Sequence, residues 1–166
     1  MFVSPGPDDI LGHEQIARQL KQYGIKVATG EHCHNRVMFK QFLTSGAMQY
    51  CQIDSCRLAG VNEVLAVILM AAKYGVPVCP HAGGVGLCEY VQHFAIWDYV
   101  AVTGTRDNRM VEYVPHLIEH FQHPARILNG HYMVPEHAGY GCHIKPESIK
   151  TYNYPNGTYW EQQQLQ

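Results

Sequence analysis

Apolar positions fall into short runs that alternate with stretches of helical period. After a turn at Pro5, Pro7 and Asp8-Asp9, apolar residues recur at Ile10, Ile16, Ala17, Leu20 and Tyr23, and Gly24 ends the pattern. Residues 25–28 then read as a short strand. Asn35 is placed to cap a second helix with Val37, Met38, Phe42 and Leu43 inward and Gly46 at its end. Residues 47–53 form the next strand. Asn62 opens an apolar helix through Val64, Leu65, Ile68, Leu69 and Ala72, stopped by Gly75. A third strand is expected at 76–79, a fourth helix at 86–96 and a fourth strand at 98–103. Residues 108–121 read as a helix kinked at Pro115.

The order is one helix followed by four strand–helix units, which predicts an α/β fold with a parallel sheet. From Ala125 the texture changes. Prolines 124, 135, 146 and 155 and five tyrosines mark an irregular wrap over another surface, and Gln162-Gln163-Gln164 a fraying terminus. The expected organisation is therefore residues 1–124 as the repeating part and 125–166 as a closing segment of the same domain. Four such units make either a small open sheet or half of an eight-stranded barrel, whose full length is roughly 250 residues.

Composition narrows the functional classes. Only 16% of residues are charged against 46% hydrophobic, so much of each element must be buried or covered. The net charge of −2 offers no basic stripe for nucleic acid. The longest apolar run, 64–72, is too short to span a membrane. The first residues carry no signal-peptide pattern, so an intracellular protein is expected. Its six cysteines then read as reduced thiols, and Asn156-Gly157-Thr158 as a turn rather than a glycan site.

Polar residues stand out at strand ends. Glu31, Asp54 and His81 each follow a strand, 23 and 27 residues apart, which suits strand–helix–strand crossovers. Parallel sheets deliver their chemistry to this edge. Glu31 is either a ligand for a hard cation such as Mg2+ or an acid at a helix N-terminus. Asp54 either pairs with Arg57 or accepts a hydrogen bond from His81, orienting that ring as a base for proton abstraction. Glu112, after the last strand, either binds a substrate or enolate oxygen or is a solvated helix residue. Gly83-Gly84-Val85-Gly86 lacks the Lys-Ser/Thr of a phosphate loop and reads as a turn leaving room beside His81. His32, Cys33, His34, Cys79, His81, Cys88 and His93 match no zinc-finger or zinc-ribbon spacing. Thiol catalysis at Cys33 or Cys79 lacks an evident partner.

Four stretches are more specific. Pro7 to His13, Thr29-Gly30-Glu31-His32-Cys33-His34-Asn35-Arg36, Gln52 to Arg57 and Cys79-Pro80-His81-Ala82-Gly83-Gly84-Val85-Gly86 resemble the L-fuconate dehydratases. These are mandelate-racemase-type members of the enolase superfamily, and the resemblance runs from Pro7 to about Trp160. It implies strands five to eight of a TIM-type barrel. Glu31 resembles the third Mg2+ ligand, Asp54 and His81 a base dyad on strands six and seven, and Glu112 an acid after strand eight. Glu31, His81 and Glu112 would contact substrate. The implied chemistry is Mg2+-assisted proton abstraction beside a carboxylate, then loss of water to give a 2-keto-3-deoxy sugar acid.

Much of the family pattern is not in this sequence. The N-terminal capping domain, a Lys-x-Lys pair and two acidic metal ligands are missing, and the start at Met1 suggests a truncated form or an incomplete gene product. Such a half-barrel is expected to hold Mg2+ weakly and to have little activity alone. Three readings follow. The first is a sugar acid dehydratase, acting on a small sugar acid with no nucleic acid or membrane partner. The second is a non-catalytic half-barrel that self-associates or binds a partner through its open edges. The third is an unrelated zinc or thiol protein. The mitochondrion and the cytosol both remain open.

Overall fold

The computed structural model describes residues 6–163. Pro5 of the expected first turn and Gln164 of the expected fraying end lie outside them. Helix α1 (Ile10–Lys21) starts where Asp9 accepts the Gly12 N–H at 2.9 Å. Helix α2 (Arg36–Ser45) is capped by Asn35, which accepts from Val37 and Met38, and ends at Gly46 with φ of +75°. Its buried face is Phe39, Phe42 and Leu43, while Val37, expected inward, is exposed. Helix α3 (Val61–Lys73) buries Val64, Val67, Ile68 and Ala71. Leu69, also expected inward, points to solvent, because the inward stripe passes through Val67 and Ala71 instead.

The strands are short. β1 (Ala28–Thr29) pairs in parallel with β2 (Tyr50–Cys51), with Ala28 opposite Tyr50 and Thr29 opposite Cys51. Cys51 pairs in parallel with Val78 on the third strand segment. The ladder continues toward the carboxyl ends through Gln52 N–H to Thr29 O at 3.0 Å and His81 N–H to Ile53 O at 2.9 Å. Among the described residues β1 is paired on one side only, and the segments do not close into a barrel.

The structure departs from expectation after helix α4 (Leu87–Trp97). Residues Asp98–Thr103, expected as a strand, continue α4 as a π-helical stretch. Their run of Val100, Ala101 and Val102 reads as a strand locally, but Val102 packs on the main core while Val100 faces solvent. Residues 109–115, expected to be helical, form neither helix nor strand after a turn at Asn108, and the Glu112 N–H donates to Pro80 O at 3.2 Å. Only one 3-10 turn, Ile118–His120, follows Pro115.

The closing segment holds a hairpin, β3 (Ile127–Leu128) with β4 (His131–Tyr132), and two short helices, α5 (Pro146–Tyr152) and α6 (Thr158–Gln163). It is less irregular than expected. Two apolar clusters lie beneath these elements. The larger joins α2, α3 and the sheet around Phe39, Phe42, Val67 and Ile68. The smaller holds Ala82, Leu87, Cys88, Val91 and Ala125. α4 straddles both, giving Phe94 to the first and Leu87, Cys88 and Val91 to the second.

Candidate active site

The three strand ends carry Glu31, Asp54 and His81 to one edge of the sheet, and the irregular segment 109–115 brings Glu112 beside them. Gly30, just before Glu31, has φ of +129°, and a Cβ there would lie 2.9 Å from Gln52 O. Only glycine fits this close approach of β1 to its neighbour. His81 is the centre of the cluster. Its Nε2 lies 3.3 Å from Glu31 Oε2 and 3.6 Å from Glu112 Oε2, and its Nδ1 lies 3.8 Å from Asp54 Oδ2. Three carboxylates thus surround one imidazole. A Cβ on Gly83 would lie 2.8 Å from His81 Nε2, so the glycine keeps the ring's outer face clear.

Asp54 is buried and held from two other directions. Its Oδ1 accepts the Cys56 N–H at 2.8 Å, and Oδ2 lies 3.7 Å from Arg57 Nε. The ion pair with Arg57 and the approach to His81 therefore coexist. The direct Asp54–His81 hydrogen bond expected from the sequence is absent, because 3.8 Å is beyond hydrogen-bond reach. His81 Nδ1 is buried without a hydrogen-bond partner. Loose contacts of this kind are common in sites without substrate. Glu112, expected on a helix, instead sits in the irregular segment, where its Oε2 accepts the Ala82 N–H at 2.7 Å.

Two neighbours were not singled out for this site by sequence. His32 Nε2 lies 3.1 Å from Glu31 Oε1, so Glu31 is flanked by two imidazoles; its adjacency to Glu31 in the chain is the signal. Tyr132 donates to Glu112 O at 2.6 Å from a hairpin 20 residues away, and nothing local marks it. The thiols have a different character. Burial, with Asp8 adding, pushes Cys33 up to about 12. Burial also raises Cys79, with Glu112 adding to it. Neither favours a thiolate at neutral pH. Among the described residues, no group of three or more His, Cys, Asp or Glu is arranged to hold a metal ion. One surface hollow of about 250 Å³ lies elsewhere, beside Gln92, His123 and His137.

This fold and cluster place the chain in a known class: it belongs to the enolase C-terminal domain-like family, which matches residues 3–148. It is 59% identical over 155 residues to mitochondrial enolase superfamily member 1 of Xenopus laevis, covering 93% of this chain and 35% of that protein. It is 58% identical over 156 residues to L-galactonate dehydratase of Hypocrea jecorina, covering 93% and 34%. The crystal structure of human mitochondrial enolase superfamily member 1 superimposes with a TM-score of 0.88 at 55% identity, covering 95% of this chain and 36% of that one. L-talarate dehydratase from Polaromonas sp. JS666, solved with Mg and L-glucarate, shares the fold at a TM-score of 0.67 and 23% identity, covering 86% and 36%. The chain spans about a third of the length of the curated relatives that it matches. The expected C-terminal part of a TIM-barrel enzyme is what the structural match shows, with no closed barrel among the described residues.

Proposed function

We propose that this chain carries the proton-transfer part of a sugar acid dehydratase site, with L-fuconate as substrate. The observation that supports this most directly is His81 at the meeting point of Glu31, Asp54 and Glu112. His81 Nε2, on the side kept clear by Gly83, takes the proton from carbon 2 of the acid. Asp54, on the Nδ1 side, steadies the imidazolium that forms. The protonated ring then gives its proton to the hydroxyl leaving carbon 3, which departs as water. The remaining enol becomes a 2-keto-3-deoxy acid. Glu112, on the same Nε2 side of the ring, faces the substrate oxygens.

Mg2+ belongs to this reading at the level of the family, since a fold relative was solved with it. Glu31 offers one hard oxygen ligand. The described residues do not by themselves fit a Mg2+ cage. A proton beside a carboxylate is too weakly acidic for a histidine alone, so turnover by this chain is slow. L-fuconate is 6-deoxy-L-galactonate, so the substrate proposed here has the same configuration as the one in the name of the Hypocrea relative. The relatives named as mitochondrial favour that organelle over the cytosol. No described helix is long and apolar enough to cross a membrane.

The test is proton NMR of L-fuconate in D2O with the purified chain and Mg2+. Slow exchange at carbon 2 is expected, lost in His81→Asn. Exchange that survives His81→Asn, or complete absence of exchange and of keto acid, overturns the assignment. The one-sided pairing of β1 favours a second reading, a non-catalytic chain that self-associates through its sheet edge. A stable dimer by size-exclusion chromatography, together with no exchange, selects it.

A further inference from the structure

The irregular segment that carries Glu112, residues 109–115, lacks the ladder partners of a strand. Its main chain bonds the third strand once, through Glu112 N–H to Pro80 O. Two side chains supply further main-chain bonds. Cys88 Sγ donates to Val114 O at 3.2 Å and accepts the Val114 N–H at 3.3 Å. One thiol thus performs both halves of a ladder pair. Tyr132 O–H donates to Glu112 O at 2.6 Å. Both side chains sit in or against the smaller apolar cluster, Cys88 at 1% exposure on α4 and Tyr132 on β4. Tyr132 also packs edge-on to Tyr113 at 5.8 Å. Burial, followed by the Cys88 side chain, pushes the Tyr132 hydroxyl up, so it keeps its proton and remains a donor.

The carboxylate of Glu112 is aimed by what these bonds hold. Its Oε2 accepts the Ala82 N–H at 2.7 Å and stands 3.6 Å from His81 Nε2. A shift of the segment along its axis would break both contacts, because the remaining ladder bond fixes only one point. We propose that Tyr132 and Cys88 are positioning residues that fix the Glu112 main chain so that its carboxylate meets His81. This rests on the reading of Glu112 as a member of the site. Neither side chain hydrogen-bonds to His81, and both act through Glu112. Sites of this kind lose function when the supporting contacts loosen by a fraction of an ångström.

The Ala82 amide is a reporter that needs no turnover. In ¹⁵N-labelled full chain, its proton is shifted downfield by the carboxylate it donates to, and Glu112→Gln identifies that shift. Tyr132→Phe keeps the ring and its packing but removes the hydroxyl. Cys88→Ala removes both thiol bonds, and Cys88→Ser keeps them. The expected result is loss of the downfield shift in Tyr132→Phe and Cys88→Ala, recovery in Cys88→Ser, and unchanged amides in α1. An Ala82 amide that keeps its shift in Tyr132→Phe overturns the proposal, whether or not Cys88→Ala folds. If the unaltered chain shows no exchange of L-fuconate, the functional reading fails while the amide result still decides the positioning.

Discussion

At the scale of single residues, the site depends on absences as much as on side chains. Gly83 is the clearest case. Its φ is not in the left-handed region, so only space forbids a methyl group there. The atoms such a methyl would meet are the far end of the His81 ring. Gly83→Ala is therefore expected to fold with little loss of stability but to turn His81 away. Loss of carbon-2 exchange with a nearly unchanged melting temperature checks this. Glu31, Asp54 and His81 were legible in the sequence because each follows an apolar run at a crossover distance. Their grouping was legible too, since strand ends of a parallel sheet face one edge. The absence of an Asp54–His81 hydrogen bond was not, because Cys56 N–H and Arg57 compete for the same carboxylate. Tyr132 could not be read at all: its partner is a main-chain oxygen, which leaves no trace in the sequence.

At the scale of elements, helices with good local signals were read well and the segments after α4 were not. Asn35 shows the first kind. It satisfies two N–H groups at the start of α2, and Glu63 holds the Arg36 N–H at 2.9 Å. Asn35→Ala should cost about 1 kcal/mol. That lowers the melting temperature by about 2–4 °C, measurable by calorimetry. Residues 98–114 show the second kind. A run of valines suits a strand, yet here it extends a helix whose Trp97 and Val102 reach the larger core. The following segment is held by Pro80, Cys88 and Tyr132, all of them distant in the chain. Local pattern carries no information about such partners.

At the scale of the molecule, the buried thiols set how the fold responds to alkali. Burial pushes Cys33 from an ordinary 9.0 up to about 12. It moves Cys51 in the same direction. The unfolded chain releases these protons first, so folding holds them more tightly than unfolding does. Their stabilisation is complete below pH 9.0 and is lost as the pH climbs toward 12. Melting temperatures should fall steadily above about pH 9, and Cys33→Ala should flatten that slope. The division of the interior has a different consequence. Glu31 and Asp54 hang on the larger cluster, whereas Glu112 is tied to the smaller one through Cys88 and Tyr132. The two clusters are joined through α4. Local opening of the smaller one would release Glu112 and also Ala82, the neighbour of His81, while Glu31 and Asp54 stay with the larger. The constellation around His81 thus draws on both apolar clusters at once.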